Sequence, residues 1–370
     1  MNNVHALIYA YHAYPTLGEL GAHRTGAALP ICGRYRLIDF ALSGVMNAGI
    51  RNVGVIMQRG YQSLMEHLSS GRSWNLARAA GGLHLLPPFG LSDASKGVYG
   101  GCMDALGAVY TYLEEIREDY VLLTRGDLCA NLDMRALIEA HMQSGADITA
   151  VCKEGALPYV HHRLVPDGTG RASQLLCLQN DAERGVAVLE TYILRKERLL
   201  ELVRWSREGG RLHFHRDALS HAMARGWSVQ IFMHSGYGML ITGVRDYYRA
   251  NMDMLDPENR RSLFPAERRV ATRARSDVST YYGDAADVRH SLIADGCRIE
   301  GSVENCVIFG GVTVGAGAQL RNCIVLNDTV IGEHCVLRSV ISDKNVQLAP
   351  YLELTGSERL PLVIPKGSVL

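Results

Sequence analysis

The sequence predicts an α/β protein in two parts: a domain with a mixed or parallel sheet at residues 1–255, and a left-handed parallel β-helix with a C-terminal tail at residues 288–370. Three observations support this prediction. Short apolar runs alternate with amphipathic segments in the first part, residues 256–287 form a charged connector, and apolar residues recur at every sixth position in the last part. The first pattern is typical of layered α/β domains and the last of hexapeptide solenoids.

Apolar runs and helical periodicity alternate along the first domain. The runs predict buried strands at Val4–Ala10, Val53–Met57, Tyr120–Thr124 and Asp147–Cys152. Apolar residues at helical spacing predict helices at Arg36–Asn47, Tyr61–Leu68, Met103–Ile116 and Met134–Gln143. We therefore expect a parallel sheet covered by helices on both faces, with ligands at the carboxyl ends of its strands.

The last domain has no helical periodicity. The apolar residues at hexad spacing are Ile293, Ile299, Ile308, Val314, Leu320, Val325, Ile331 and Leu337. Glycines and an Asn-Asp pair lie between them, so we expect a β-helix of roughly three coils. Its end coils need a cover, which another domain or another subunit supplies. Pro361 and Pro365 predict an irregular tail at residues 351–370.

Composition excludes several classes of partner. The 370 residues include 38 Lys+Arg and 38 Asp+Glu, so the net charge is zero, which argues against binding to nucleic acid or to an acidic membrane surface. No apolar run approaches the ~18 residues of a membrane span. The nine cysteines form no C-x-x-C pair and no zinc spacing. We expect a soluble, cytoplasmic protein with reduced thiols and no metal site of its own.

Several motifs are specific enough to indicate a family. They are Gly33–Ser43 followed by Asn47–Ile50 (GRYRLIDFALS and NAGI), Tyr99–Ala105 (YGGCMDA), Tyr120–Asp127 (YVLLTRGD) and Tyr247–Asp253 (YYRANMD). In this order, with the hexads behind them, they resemble the ADP-glucose pyrophosphorylases, also called glucose-1-phosphate adenylyltransferases, over nearly the whole chain. The resemblance implies a nucleotidyltransferase (Rossmann-like) domain followed by a left-handed β-helix, in agreement with the periodicity.

The family joins ATP and glucose 1-phosphate into ADP-glucose and pyrophosphate, and Mg²⁺ and basic groups neutralise the phosphates. Its phosphate-binding loop, G-G-x-G-T-R-L, aligns with residues 11–17. Tyr11, His12 and Tyr14 stand at its glycines and Thr16 at its arginine. Backbone N–H groups approach a triphosphate most easily where no side chain intervenes, so we expect this loop to be dismantled.

A basic position and the metal-binding positions are also altered. Gly26 aligns with the lysine of the family's R-A-K-P-A segment. Asp127 keeps one metal-binding carboxylate, whereas Leu240 replaces the other. One carboxylate alone binds Mg²⁺ weakly. The resemblance therefore implies that this chain has no catalytic residues and holds no metal.

The sugar-phosphate pocket is changed as well. Val188 and Glu190 align with the serine and the glycine of the family's S-M-G-I-Y segment, and residues 179–181 contain no E-K-P. A carboxylate at Glu190 would repel a phosphate.

Other family positions are retained, and each has two interpretations. Arg24 and Arg36 match arginines with which the family binds an anionic effector, here a phosphorylated metabolite; otherwise they form surface salt bridges. Tyr99 and Asp104 are remnants of nucleotide binding, or Asp104 serves the first turn of a helix. Asp127 is a remnant metal ligand or a helix cap.

The lost and retained positions together predict a regulatory, catalytically silent subunit, similar to the D-type subunits of bacterial ADP-glucose pyrophosphorylases in glycogen biosynthesis. The resemblance implies a catalytic C-type partner in a hetero-oligomer, most simply a tetramer. It also implies that the chain binds no cofactor tightly and meets Mg²⁺ only through that partner. The alternatives are an active sugar-phosphate nucleotidyltransferase with a divergent site and a scaffold without ligand response.

Overall fold

The computed structural model describes residues 3–58, 60–78, 81–88, 98–155, 162–177 and 185–370. The chain forms two compact units, one of residues 1–12, 38–240 and 265–271, the other of residues 13–37, 241–264 and 272–370. By its contacts, the segment at 13–37 thus belongs with the β-helix, although the predicted boundaries assign it to the α/β domain. Those boundaries stay a prediction. Residues 179–181 lie outside the described residues.

Strands and helices alternate through the first part of the chain. The strands are β1 (Val4–Tyr9), β2 (Pro30–Ile31), β3 (Tyr35–Arg36), β4 (Asn52–Ile56), β5 (Gly82–Leu86), β6 (Tyr120–Arg125), β7 (Leu128–Ala130), β8 (Ile148–Lys153), β9 (His162–Pro166), β10 (Ala172–Cys177), β11 (Val186–Arg195), β12 (Val229–Met233) and β13 (Gly238–Leu240). The α-helices are α1 (Ile38–Asn47), α2 (Gln62–Leu68), α3 (Cys102–Ala108), α4 (Tyr110–Glu115), α5 (Met134–Ser144), α6 (Lys196–Glu208), α7 (Ser220–Ala224), α8 (Val244–Met252) and α9 (Pro257–Leu263).

A mixed sheet in the order β10-β9-β11-β6-β1-β4-β5 forms the centre of the first unit, and β8 pairs with both β11 and β12. Strands β6, β1, β4 and β5 are parallel, and all four predicted strands are confirmed to within one or two residues. The prediction of a mixed or parallel sheet is confirmed: the sheet is mixed, because β11 runs antiparallel to β6 and β8. An apolar run shows burial on both faces and carries no information about strand direction.

The predicted helices are confirmed, with one difference. The segment at 103–116 divides into α3 and α4, with a non-helical residue, Val109, between them. Gly107 and the β-branched Val109 both lower helix propensity at this point. No helix in the described ranges has the length and apolar composition of a bilayer crossing.

The second unit contains the β-helix, whose coils stack into three parallel sheets. Their strands are β14 (Tyr281–Tyr282), β15 (Asp287–Arg289), β16 (Leu292–Ile293), β17 (Arg298–Ile299), β18 (Ser302–Glu304), β19 (Val307–Ile308), β20 (Thr313–Val314), β21 (Gln319–Arg321), β22 (Ile324–Val325), β23 (Val330–Ile331), β24 (Val336–Arg338), β25 (Val340–Ser342), β26 (Gln347–Leu348), β27 (Glu353–Thr355) and β28 (Leu362–Ile364). The hexad prediction is confirmed: its residues from Ile299 to Leu337 are buried in one core, and Ile293 packs against it. Each sheet has five strands, so the left-handed β-helix is longer than the roughly three coils expected.

The predicted irregular tail is wrong. Strand β27 pairs with β24, and β28 pairs with β25, so residues 353–364 extend the β-helix. Pro361 precedes β28 and Pro365 follows it. A proline removes a ladder N–H only inside a strand, so prolines at both ends leave the pairing intact.

A test of the tail compares two leucine-sized side chains. Ile364 is 3% exposed in the core, whereas Leu360 is 79% exposed. We expect Ile364→Ala to lower the free energy of unfolding by about 2–5 kcal/mol, because it leaves a cavity. Leu360→Ala should change it by no more than about 0.5 kcal/mol. Urea unfolding of the full chain, followed by circular dichroism, measures both; equal effects would contradict the assignment of β28 to the core.

Candidate functional site

The carboxyl ends of β1 and β6 bring several of the predicted site residues together in the first unit. Tyr9 and Arg125 are partners across these parallel strands, and the Gly126 N–H donates to the Tyr9 carbonyl over 2.7 Å. The chain therefore places the residues after β1 beside Asp127, at the sheet edge where α/β proteins bind ligands.

Arg125 forms a buried ion cluster with two carboxylates. Its Nε lies 2.9 Å from Asp127 Oδ1 and its Nη2 lies 3.0 Å from Asp127 Oδ2, so the guanidinium holds that carboxylate in a bidentate pair. Its Nη1 lies 2.9 Å from Glu190 Oε1. Arg125 and Asp127 are both buried. Asp127 caps no helix: α5 begins after Asp133, whose side chain accepts the Ala136 N–H.

Glu190 occupies a position with strained backbone. Its φ is +48°, in the left-handed region, and the register of β11 against β8 shifts between Val188 and Tyr192. The left-handed region costs about 1–2 kcal/mol for a residue with a Cβ, and the resemblance assigns a glycine to this position in the family. Burial opposes ionisation of Glu190, but the charge of Arg125 is the main opposing effect, and the pKa of the carboxyl is lowered. Glu190 is therefore an ionised partner of Arg125.

Two histidines border the cluster without adding positive charge. His12 Nδ1 lies 3.5 Å from Asp127 Oδ2, and burial together with Arg125 lowers the pKa of His12 to about 4. His215 Nδ1 lies 3.9 Å from Glu190 Oε1, and burial lowers its pKa as well, although Glu190 opposes the shift. With both imidazoles neutral near pH 7, one guanidinium faces two carboxylates and the cluster has a net charge of minus one.

Aromatic packing fills the place of the family's phosphate-binding loop. The buried Tyr11 ring lies 4.4 Å from the His12 ring in a stacked arrangement and 5.3 Å from the Tyr99 ring, edge to face. Burial, with a smaller effect of Asp104, raises the pKa of Tyr99 to about 12. Asp104 Oδ2 accepts the Gly100 N–H over 2.9 Å at the start of α3, which is the local structural role that the sequence allowed.

The position of the second metal-binding carboxylate is apolar. Leu240 is buried on β13 and pairs with Leu128, the residue after Asp127. Val188 is buried and pairs with Cys152 in the sheet. Mg²⁺ does not fit these residues, because Leu240 offers no ligand and both Asp127 oxygens accept N–H groups of Arg125. No group of three or more His, Cys, Asp or Glu side chains in the described ranges could hold a metal ion.

The remaining loop positions belong to the second unit. Tyr14 precedes a short helical turn at Pro15–Gly21. The exposed Thr16 donates its hydroxyl to the Thr242 carbonyl. Gly26 is buried and opens the turn Gly26–Ala28. Each of these residues has a local structural role within its unit.

Arg24 also lies in the second unit, where it is buried. Its Nη2 lies 2.9 and 2.8 Å from the two Asp343 oxygens, so its salt bridge is internal and not the surface pair that the sequence allowed. Its Nη1 is enclosed and makes no hydrogen bond with the described part of the chain. Burial, followed by the charges of Arg36 and Arg24, lowers the pKa of Lys344 to about 7. Positive charge is therefore crowded around Asp343.

Sequence analysis missed the residues that complete these clusters: Arg125, His215, Asp343 and Lys344. Arg125 carried a signal, since it is a charged residue at the end of the otherwise apolar run at 120–124. The other three carried none, because neither hexad spacing nor helical periodicity shows which polar side chains will be buried beside a charge.

Comparisons with known proteins agree with this architecture. The nucleotidyl transferase family matches residues 17–161, and the GlmU-like C-terminal hexapeptide family matches residues 276–358. The glycogen biosynthesis protein GlgD of Bacillus subtilis (strain 168) is 31% identical over 96% of this chain and 93% of its own length, and GlgD of Geobacillus stearothermophilus is 32% identical over 100% and 97%. The glucose-1-phosphate adenylyltransferase of Pseudothermotoga lettingae is 31% identical over 86% of this chain and 76% of its own length. The chain thus belongs to the family of glycogen biosynthesis that comprises the glucose-1-phosphate adenylyltransferases and the GlgD proteins.

Proposed function

We propose that this chain is a regulatory, catalytically silent subunit in glycogen biosynthesis. It assembles in the cytoplasm with a catalytic glucose-1-phosphate adenylyltransferase subunit, as a heterotetramer, and changes the response of that partner to a phosphorylated metabolite. One observation carries the proposal: the Arg125 guanidinium occupies the position of a cation between Asp127 and Glu190.

Arg125 and a metal ion would compete for the same carboxylate. Mg²⁺ binds oxygen ligands in strict octahedral geometry and gives up water reluctantly. To reach Asp127 it would have to displace a buried guanidinium, and a charge left unpaired in the interior costs several kcal/mol. Leu240 adds no ligand in return. Without metal, the negative charge that builds up in nucleotidyl transfer is not neutralised.

The same cluster disfavours phosphate. Its net charge of minus one repels an anion, and His12 and His215 are neutral near pH 7. Tyr11 occupies the first glycine position of the family's loop and is packed against Tyr99. The alternative, an active enzyme with a divergent site, would need other cations to hold a triphosphate, and no arrangement within this cluster supplies them.

The regulatory part of the proposal rests on the second unit. Arg24, Arg36 and Lys344 place positive charge around a single carboxylate, Asp343, and one guanidinium nitrogen of Arg24 is enclosed without a partner among the described residues. An anion bound there would offset the charges of Arg36 and Arg24, which, after burial, lower the pKa of Lys344. A silent subunit that binds this anion differently in two states of the assembly shifts the population of the catalytic partner's states.

The central test measures ADP-glucose synthesis from ATP, glucose 1-phosphate and Mg²⁺. We expect no activity from the purified chain, because it can hold neither the metal nor the triphosphate. Mixed with a catalytic subunit, it should co-elute in size-exclusion chromatography and change that subunit's effector response. Turnover of the isolated chain in the usual range of about 1–10³ s⁻¹ would refute the silent role; separate elution with unchanged partner kinetics would refute the regulatory one.

A second test restores the metal site stepwise. We expect no Mg²⁺ binding with Leu240→Asp alone, because the Arg125 guanidinium still pairs with both Asp127 oxygens. The double variant Leu240→Asp with Arg125→Ala should bind Mg²⁺ by calorimetry, since Arg125 no longer competes for Asp127 and a second carboxylate is then present on the neighbouring strand. Arg125→Ala alone is the matched control. Even the double variant should not make ADP-glucose, because Tyr11, Tyr14, Thr16 and Gly26 still replace the phosphate-binding groups.

Binding that appears with Leu240→Asp alone would show that Arg125 does not block the metal. Activity of the double variant would show that the loop still accepts a triphosphate.

A third test concerns the anion site and uses sulfate, whose charge does not change near neutral pH. Lys344 is charged below its pKa of about 7 and neutral above it, so sulfate affinity should fall as the pH rises from about 6 to about 8. Lys344→Met should remove that pH dependence, and Arg36→Ala should lower the affinity roughly 10- to 100-fold. Calorimetry of the full chain measures both. Unchanged affinity in both variants would contradict an effector site here.

Arg24→Ala serves as a structural comparison. It leaves Asp343 unpaired, so we expect the free energy of unfolding to fall by about 3–5 kcal/mol in addition to any loss of sulfate binding.

A further inference from the structure

The second unit contains a groove to which the proposed function assigns no role. Helices α8 and α9, one corner of the β-helix, and residues 358 and 359 enclose a volume of about 770 Å³. This lies within the range of sites that bind small molecules and cofactors, about 300–1,000 Å³.

One wall of the groove is a column of polar side chains. His290, Asn305 and Asn322 occupy the same corner of successive coils, at φ values of +44°, +51° and +54°. Neighbouring coils are about 4.8 Å apart, so the polar groups repeat at that spacing. His290 Nδ1 lies 2.6 Å from Asn305 Oδ1, whereas the Asn322 side chain makes no hydrogen bond with the described ranges. The column thus offers amide and imidazole groups at a regular interval.

The other walls carry balanced charge. Their guanidinium groups and carboxylates belong to Arg245, Arg249 and Arg359, and to Asp253, Asp256 and Glu358. Arg249 lies 3.8 Å from Asp253. Arg245 and Arg359 are exposed and form no ion pair with the residues that the structure describes. Apolar contact surface comes from Met252, Leu255 and Pro257.

These features select a class of ligand. Equal numbers of positive and negative groups give no net attraction for an anion or for a cation. Guanidinium, carboxylate and amide groups are planar and make paired hydrogen bonds, which suits adjacent hydroxyls on a ring. Apolar side chains beside them suit the C–H faces of the same ring. A polar column with a regular repeat suits a linear polymer of such rings better than a single one.

We propose that this groove binds a linear, uncharged oligosaccharide. The choice of an α-glucan rests on the proposed function in glycogen biosynthesis. Bound there, the glucan would hold the regulatory subunit, and with it the catalytic partner, at the polymer that consumes activated glucose.

The test measures binding of maltoheptaose to the full chain by calorimetry, with glucose and inorganic phosphate as comparison ligands. We expect maltoheptaose to bind, glucose to bind at least about tenfold more weakly because it spans one repeat of the column, and phosphate not to compete. Asn322→Gly and Arg359→Ala should each weaken maltoheptaose binding about tenfold. Glycine tolerates the positive φ of Asn322, so its removal tests the side chain and not the backbone.

Matched controls lie outside the groove. Asn345→Gly replaces an exposed asparagine at φ +56°, and Arg51→Ala replaces an exposed arginine. Both should bind maltoheptaose like the unaltered chain. The proposal is overturned by absence of maltoheptaose binding, by equal losses in the controls, by competition from phosphate, or by groove variants that change only the oligomeric state in light scattering. Catalytic silence is measured separately, as the absence of ADP-glucose synthesis. The two results are therefore independent: a chain that does not bind maltoheptaose can still be inactive, and a chain that binds it can be active.

Discussion

A carboxylate enclosed in protein is costly unless a cation or hydrogen-bond donors compensate its charge, and in both units of this chain an arginine does so. Asp127 is paired with Arg125 in the first unit, and Asp343 is paired with Arg24 in the second. Removing one member of such a buried pair costs about 3–5 kcal/mol, which is a large fraction of the stability of a domain. The Arg125–Asp127 pair therefore stabilises the ends of β1 and β6, and the Arg24–Asp343 pair stabilises the segment at 13–37. Replacing only one member of either pair should lower the stability of its unit.

The fold was predictable where periodicity expresses burial. The hexads of the β-helix and the apolar strands of the sheet follow directly from which side chains avoid water. Strand direction was not predictable, because β11, the strand antiparallel to β6, contains Glu190 and Thr191 and was not among the predicted strands. The tail was misjudged because Pro361 and Pro365 were taken as breakers of a strand that in fact lies between them. A local rule about proline says nothing about long-range pairing with β25.

The site was predictable only in part, for a related reason. Resemblance located Tyr11, Asp127, Glu190 and Leu240, since each replaces or keeps a residue in a recognisable motif. It did not locate Arg125 as their partner, because a pair depends on side-chain geometry and not on sequence spacing. From the alignment alone, Glu190 was expected only to repel a phosphate. In the structure it also forms an ion pair with Arg125. Its backbone remains in the region that suits the family's glycine, so the strain there is offset by the pair with Arg125.

The two clusters differ in whether each cation is paired with enough carboxylates of the same chain. This difference is the reason for proposing an anion site in the second unit and none in the first. In the first unit the cation lies between its carboxylates, and the imidazoles beside it are neutral, so an incoming anion finds no cation to neutralise. In the second unit burial, and after it the charges of Arg36 and Arg24, lower the pKa of Lys344 although Asp343 opposes the shift, so positive groups lie close together there. An anion that binds there must raise the Lys344 pKa, because binding and protonation are linked and reciprocal. In the proposed silent subunit, a bound anion or a change of pH would change the free energy of the β-helix unit, and a partner in contact with that unit would share the change.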